Sequence, residues 1–242
     1  MLIDLHAHSY LTRGCSLSPQ EVLARAEFHG LDGVAFTEKN TQDGCEELLE
    51  LGKSSKVKVF VGMELDTDKG QYLCFFENPL LAPEPVQMWG SNREKPWNVE
   101  ECLPKLKALG AAIVAARPFD AAFPYPARDY VNSLDCLCAI EVYNPSVSLG
   151  ANELALEMAR KMRLPGIGGS DARESLDEIG YAATLFEKPI GTQRELLEAL
   201  AGGSFWPVMM GELAKLIKPG AAKAAESKNK KKKKKKQKKR WP

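Results

Sequence analysis

The stretch that decides the fold is Asp4-Leu5-His6-Ala7-His8-Ser9, in a chain with only three histidines among 242 residues. It continues an apolar start, Met1-Leu2-Ile3, which predicts a short β-strand. Side chains two positions apart in a strand point to the same face, so His6 and His8 would present two imidazoles side by side. Taken alone, such a pair fits either two ligands of a metal site or two surface histidines. Residues further along the chain favour the metal site.

Strands and helices are predicted to alternate along the rest of the chain. The first helix begins at Ser18-Pro19-Gln20-Glu21, which has Ser at the N-cap, Pro at the first helical position and Glu three residues past the cap. Strands are predicted at residues 33–37, 57–61, 71–76, 111–116, 136–143, 165–169 and 181–186, and further helices at 46–51, from 98, at 149–162 and at 192–200. This alternation indicates a parallel sheet, and roughly seven such units favour a closed β/α barrel over a doubly wound sheet.

Polar side chains follow nearly every predicted strand: His6, His8, Glu38, Glu64, Arg117, Asn144 and Asp171. In parallel α/β folds the active site lies at the C-terminal ends of the strands. Packing alone does not explain polar groups at so many strand ends. We therefore predict that these side chains converge on one site.

Several motifs resemble, in order and spacing, those of the PHP family (polymerase and histidinol phosphatase domains). Residues 4–9 resemble D-L-H-x-H-S, residues 30–40 resemble G-L-D-x-x-x-x-T-D-H-N, residues 62–64 resemble G-x-E, residues 116–119 resemble A-H-P-F, and residues 169–173 resemble G-S-D-A-H. Residues 141–144 are also similar to the family's sequence before its last helices. The resemblance implies a distorted seven-stranded β/α (TIM-like) barrel, predicted here for residues 1–210, with up to three metals in its mouth.

Departures from the family pattern fall on its metal ligands. Lys39, Arg117 and Arg173 stand where the family has metal-binding histidines, and Glu38 replaces the aspartate of T-D-H. In the family, one metal is held by two histidines, one glutamate and one aspartate, and the residues that match them are His6, His8, Glu64 and Asp171. The second and third metals use histidines that are missing from this chain. The resemblance therefore implies one divalent ion, Mn, Zn or Fe, or none.

The three bases supply positive charge where those ions are expected to be missing. Without the ions, Glu38 and Glu64 would be partly uncompensated in a low-dielectric pocket, which is costly. Arginine forks suit phosphate oxygens, so Lys39, Arg117 and Arg173 could clamp a phosphate group. Alternatively, the bases only form ion pairs with the acids. Both interpretations stay open.

Two functions follow from this pattern. The first is a PHP-type metal-dependent phosphoesterase acting on a phosphate monoester or a nucleotide-like ester. Its predicted catalytic residues are Glu38, Lys39, Arg117 and Arg173, and its predicted substrate-binding residues are Lys39, Arg117, Arg173 and Asn144. The second is a catalytically inactive PHP domain that binds a phosphate-bearing ligand or nucleic acid. The sequence names neither the substrate nor the oligomeric state.

Charge is distributed very unevenly along the chain. Of 33 Lys and Arg and 32 Asp and Glu, 14 bases and one acid (Glu226) fall within residues 215–242. The preceding 214 residues keep 19 bases and 31 acids, a net charge of −12. Residues 230–236 are an unbroken run of lysine, which predicts a disordered tail over 211–242. Nucleic acid, an anionic membrane surface, the acidic body of the chain, or no specific partner all fit such a tail.

Composition limits the remaining alternatives. No apolar run is long enough to span a membrane and no secretory signal is visible, so we expect a cytoplasmic protein. Six cysteines form no C-x-x-C pair, which predicts buried free thiols. Four prolines interrupt the pattern between residues 77 and 97, where Trp89 and Trp97 are predicted to anchor an irregular excursion.

Overall fold

The computed structural model describes residues 1–91 and 96–210, and within them one mixed β-sheet carries the site. Its strands are β1 (Leu2–Ala7), β2 (Gly33–Lys39), β3 (Lys58–Thr67), β4 (Gly70–Phe75), β5 (Ala112–Ala116), β6 (Leu137–Tyr143), β7 (Gly166–Gly168), β8 (Ala182–Phe186) and β9 (Phe205–Met209). The α-helices are α1 (Pro19–Phe28), α2 (Cys45–Ser54), α3 (Pro85–Trp89), α4 (Val99–Ala108), α5 (Leu149–Met162) and α6 (Gln193–Gly202). Short 3₁₀ helices lie at Pro79–Leu81, Arg128–Ser133 and Leu176–Glu178.

The order of the strands is β7-β6-β5-β4-β3-β2-β1-β8-β9. Seven of them, β1, β2, β3, β5, β6, β7 and β9, run in one direction, whereas β4 and β8 are antiparallel to their neighbours. The predicted parallel sheet is therefore mixed, because β4 and β8 run against the other strands. A connection of only two residues, Asp68 and Lys69, joins β3 to β4, which is too short for a parallel crossover and produces a hairpin.

The two ends of the sheet approach each other and nearly close a barrel. Gly168 in β7 donates its N–H to the Thr184 hydroxyl at 3.0 Å, and that hydroxyl donates to the Gly168 carbonyl at 2.9 Å. Beyond β7, the Asp171 N–H donates to the carbonyl of His6 in β1 at 2.7 Å. The predicted barrel-like α/β fold is confirmed, with nine strands in the described residues.

Alternation along the strands places apolar clusters on both faces of the sheet. In β4, Tyr72 and Cys74 belong to a cluster that also includes residues of α4 and α5. Leu73 and Phe75 belong to the other cluster, which also includes Leu196 and Leu200 of α6. These packed layers leave the rim at the C-terminal ends of the parallel strands for polar side chains.

Several local predictions are confirmed. The Ser18 hydroxyl caps α1 by accepting from the Glu21 N–H at 3.2 Å. The six cysteines are free thiols, and five of them are buried whereas Cys138 is half-buried. Trp89 and Trp97 lie 6.0 Å apart between ring centroids and pack on the first apolar cluster.

The predicted Lys-rich tail over 211–242 lies outside the described residues, so the domain boundary at residue 210 stays a prediction. Within the described residues, none of the helices has the length and apolar character that crossing a bilayer requires.

Candidate metal and phosphate site

The four metal-ligand candidates meet at the rim where the parallel strands end. His6 lies in β1 and His8 directly follows that strand, Glu64 lies in β3, and Asp171 follows β7. Their ligand atoms all lie within 4.8 Å of one another, and all four residues are buried. The fold thus brings together residues that are up to 165 positions apart in the chain.

The distances leave room for one ion between the imidazoles and the carboxylates. Asp171 Oδ1 lies 3.2 Å from His8 Nε2 and 3.5 Å from His6 Nε2. The oxygens of Glu64 lie 3.7 Å from His6 Nε2 and 3.5 Å from His8 Nε2. His6 Nε2 is buried and has no hydrogen-bond partner among the described residues. A buried, unpartnered ring nitrogen between two carboxylates fits a divalent metal, and this donor set suits Mn, Zn or Fe.

Both imidazoles are oriented by a second group on the far side of the ring. Glu141 Oε1 lies 3.0 Å from His6 Nδ1, and the Thr12 hydroxyl lies 3.2 Å from His8 Nδ1. Contacts of this kind set the tautomer and leave Nε2 facing the metal position. Burial lowers the pKa of His6, but the negative charges of Glu141 and Asp171 outweigh burial and raise it above its ordinary value.

Asp4 and Gly169 hold the backbone that carries these ligands. Asp4 Oδ1 accepts from the N–H groups of His6 at 3.2 Å and Ser170 at 2.9 Å, and burial raises the pKa of Asp4 to about 6. A Cβ atom on Gly169 would lie 2.4 Å from His6 Cβ and 2.9 Å from the His6 backbone nitrogen. The close approach of the two segments therefore requires glycine at this position.

Arg117 bridges the two carboxylates from inside the site. Its Nη1 donates to Asp171 Oδ2 at 2.5 Å, and its Nη2 donates to Glu64 Oε1 at 2.8 Å and to Gln71 Oε1 at 2.7 Å. Only 8% of the Arg117 side chain is exposed. Its backbone has φ of +42°, a left-handed conformation that is uncommon outside glycine.

Lys39 and Arg173 lie on the outer side of the same cluster. Lys39 Nζ is 3.5 Å from Glu64 Oε2 and 3.3 Å from Asp66 Oδ1. Arg173 Nη2 is 3.5 Å from Glu64 Oε2, 3.4 Å from Asp171 Oδ1 and 3.4 Å from His8 Nε2. These side chains are 21% and 31% exposed, so they are more accessible to a ligand than Arg117.

The carboxylates are ionised despite their burial. Burial by itself would raise the pKa of Glu64, but Arg117 and then Lys39 outweigh it and hold that pKa well below its ordinary value. For Asp171, the charges of His6 and Arg117 likewise outweigh burial and lower the pKa. Two ionised oxygen donors are therefore available in the site.

Glu38 was predicted to be catalytic and to have a negative charge that is only partly balanced. Hydrogen bonds, and not the three bases, stabilise this carboxylate. It accepts from the Ser9 N–H at 3.0 Å, from the Ser9 hydroxyl at 2.6 Å and from the Thr12 hydroxyl. Among the described residues it has no ion pair with the three bases. The expectation that the bases neutralise Glu38 is wrong, because hydroxyl and backbone donors satisfy its oxygens.

Asn144, predicted to bind substrate, reaches the cluster only through Ser146. Its Oδ1 accepts from the Ser146 N–H at 2.9 Å and from the Ser146 hydroxyl at 2.6 Å. That hydroxyl also lies 2.9 Å from Asp171 Oδ2. Asn144 is fully buried, so it supports the loop beside Asp171.

Glu141, Asp66 and Gln71 contact the site although no role was predicted for them from sequence. Asp66 is two positions after Glu64 in β3 and so faces the same side, a signal that strand alternation could have supplied. Glu141 is part of a motif-like stretch, but nothing local shows that it orients His6. Gln71 begins the antiparallel strand β4, and no spacing signal marks it.

Comparisons with known proteins agree with this architecture. A PHP domain family model matches residues 4–122, and a PHP-associated model matches residues 150–205. An uncharacterized protein of Methanocaldococcus jannaschii is 29% identical over 126 residues. The matched region covers 52% of this chain and 66% of that protein, so this chain spans just under two thirds of its relative's length.

Two solved structures are similar in fold. PsfC from Pseudomonas syringae has a TM-score of 0.66 and 19% identity, and the match covers 89% of this chain and 94% of PsfC. A protein from Bifidobacterium adolescentis, provisionally assigned as a metal-dependent phosphoesterase, has a TM-score of 0.59 and 16% identity, over 83% of this chain and 96% of that protein. At these identities the likeness by itself shows a shared fold.

Proposed function

The chain belongs to the PHP domain family, and on that premise we propose that it is a metal-dependent hydrolase of phosphate esters. The observation that carries the proposal is the buried cluster of His6, His8, Glu64 and Asp171, in which His6 Nε2 has no other partner among the described residues. A monoester or a nucleotide-like ester is the proposed substrate. The provisional assignment of the Bifidobacterium protein supports the same reaction class.

The cluster is proposed to bind one divalent ion. Such an ion would supply a Lewis acid, which polarises a phosphoryl oxygen and lowers the pKa of water. Glu141 and Thr12 keep the ring orientations of His6 and His8, so that little reorganisation accompanies binding. The buried setting strengthens each electrostatic contact in the site.

The phosphate group is proposed to be held by Arg173 and Lys39. Both lie 3.5 Å from Glu64 Oε2 and are partly exposed, so they can turn toward a ligand at little cost. Arginine suits two phosphate oxygens at once, and lysine supplies a point charge. Their positive charge stabilises the negative charge that develops on the oxygens during hydrolysis.

Metal content and turnover test this function together. Protein purified without added metal is analysed for Mn, Zn and Fe by mass spectrometry, and hydrolysis of p-nitrophenyl phosphate and bis-p-nitrophenyl phosphate is measured with each ion. We expect about one bound ion per chain and turnover that chelation removes. His6→Ala should lose both the ion and the turnover, whereas His29→Ala, at the end of α1, should retain both. Absence of metal together with absence of hydrolysis would contradict the proposal.

A second candidate is a domain that binds a phosphate-bearing ligand without turnover. It is favoured by Arg117, which already neutralises both carboxylates that would bind the metal. Calorimetric titration with inorganic phosphate distinguishes the two functions. Phosphate binding that is lost in Arg173→Ala, without hydrolysis under any metal condition, would support this second candidate.

A further inference from the structure

We propose that Arg117 is a positioning residue that occupies one oxygen of Glu64 and one oxygen of Asp171, and thereby limits how many divalent cations the cluster binds. This inference deepens the proposed function, because it concerns the same metal site. It differs from the phosphate-binding role that is proposed for the more exposed Arg173 and Lys39.

The oxygens of Asp171 are divided between two kinds of partner. Oδ1 faces the imidazoles, 3.2 Å from His8 Nε2 and 3.5 Å from His6 Nε2. Oδ2 faces away from them and accepts from Arg117 Nη1 at 2.5 Å and lies 2.9 Å from the Ser146 hydroxyl. Oδ1 of Asp171 is thus beside the imidazoles, where its only cationic neighbour among the described residues is the partly exposed Arg173 at 3.4 Å, and Oδ2 is taken by the Arg117 guanidinium.

Glu64 is divided in a similar way. Oε1 accepts from Arg117 Nη2 at 2.8 Å. Oε2 lies 3.5 Å from His8 Nε2 and 3.5 Å from Lys39 Nζ, distances too long for a strong ion pair. The guanidinium therefore holds an oxygen of each carboxylate at short range, on the side where an additional ion would need both of them.

A chain of polar side chains keeps the guanidinium in this position. Gln71 Oε1 accepts from Arg117 at 2.7 Å, and Gln71 Nε2 donates to Asp66 Oδ1 at 2.7 Å. The other oxygen of Asp66 accepts from Asn40 Nδ2 at 3.0 Å. The backbone N–H of Arg117 also donates to Glu141 Oε2 at 3.2 Å. With 8% of its side chain exposed, Arg117 has little freedom to move away.

Removal of the guanidinium would leave two ionised, buried oxygens without a short-range cation. Buried charges that lose their partner are strongly unfavourable, so the vacated position should attract a soluble cation. Mn²⁺ prefers carboxylate oxygens and water and has little affinity for the buried thiols, which makes it a suitable probe.

The test compares Mn²⁺ binding by the full chain and three variants. Arg117→Gln removes the charge and leaves a shorter polar side chain, and Arg117→Lys retains the charge without the fork. Arg128→Gln is the matched control, because Arg128 is an exposed arginine with φ of +47°. Bound Mn²⁺ is counted by mass spectrometry after gel filtration, and melting temperature is followed with and without Mn²⁺. We expect Arg117→Gln to bind at least one ion more than the unmodified chain and to gain melting temperature with Mn²⁺, while Arg128→Gln matches the unmodified chain.

If Arg117→Gln does not fold without metal, it is refolded in the presence of Mn²⁺. Gln71→Leu then gives a second measurement, because it leaves the guanidinium in place but removes its acceptor, and should tighten Mn²⁺ binding on the order of tenfold. Equal ion counts and equal affinities in the unmodified chain, Arg117→Gln and Gln71→Leu would overturn the inference. Failure of the proposed function is distinct: the unmodified chain would then bind no metal and hydrolyse no ester, while the difference between variants still decides the role of Arg117.

Discussion

Glu141 shows how a residue without a predicted role can control the site. Its Oε1 lies 3.0 Å from His6 Nδ1, and its Oε2 accepts from the Arg117 N–H at 3.2 Å. One buried carboxylate therefore positions both the imidazole proposed to bind metal and the arginine proposed to limit it. At this scale the site depends on side chains that touch the ligands as much as on the ligands themselves.

We expect Glu141→Gln to weaken Mn²⁺ binding by about 10- to 100-fold, since the amide can still accept from His6 but no longer makes the imidazole more basic. Calorimetric titration of metal-free protein measures this change. Glu153→Gln, an exposed position on α5, is the matched control and should leave the affinity unchanged. Equal affinities for both variants would show that Glu141 has no part in metal binding.

In the metal-free protein, Glu141→Gln should also change how the free energy of unfolding depends on pH. Because the folded-state pKa of His6 is raised above 6.5, protonated His6 stabilises the fold below that pH, and this stabilisation is lost as pH rises through the raised pKa. Glu141→Gln removes the largest of the charges that raise the pKa of His6, so the free energy of unfolding of this variant should fall less as pH rises above about 6.5. Urea unfolding in the presence of chelator tests this, and parallel curves for the two proteins would refute it.

At the scale of elements, the seam between β1 and the segment after β7 assembles the ligands. Asp4 accepts from both segments, and Gly169 permits an approach that no other residue allows. The strand pattern predicted these elements individually, because apolar alternation is local. It did not predict the antiparallel direction of β4 and β8 or the presence of β9, because direction depends on connection length and on the partner available at each sheet edge.

Gly169→Ala should disrupt this seam. The added Cβ would lie 2.4 Å from His6 Cβ, so we expect a loss of roughly 1 to 3 kcal/mol in free energy of unfolding, together with loss of metal binding. Gly150→Ala is the control, because a Cβ there meets nothing within 4 Å on helix α5. That change should be neutral or raise stability by up to about 1 kcal/mol. Chemical denaturation of both variants measures the difference. Equal stabilities would contradict the claim that the close approach of β1 and the segment after β7 requires glycine at position 169.

At the scale of the whole molecule, charge separates the described barrel from the sequence that follows it. The first 214 residues carry a net charge of −12, whereas residues 215–242 contain 14 bases and one acid. A negatively charged body repels polyanions, so any affinity of the chain for nucleic acid must come from the basic residues at its end.

Deletion of residues 219–242 should therefore abolish retention on DNA at low salt. Binding through lysine to phosphate releases counterions, so retention by the full chain should fall steeply between about 50 and 200 mM salt. Electrophoretic mobility shifts with a random duplex measure both effects. Replacement of Lys230–Lys236 by glutamine at constant length is the control for chain length and should behave like the deletion. Undiminished retention by the shortened chain would rule out a nucleic-acid role for this segment.

Local patterns in the chain were sufficient to identify the family, the barrel-like class and the residues that gather at the rim, because motifs and strand alternation depend on neighbours in sequence. The pairing of atoms within that rim was decided only by folding. Which oxygen of Asp171 faces His8, which faces Arg117, and why Glu38 turns to Ser9 and Thr12 follow from how residues from distant parts of the chain share one buried volume. In that volume each charged group pairs with the donors or acceptors that the fold brings near it. A local sequence pattern does not indicate which of these groups will be near.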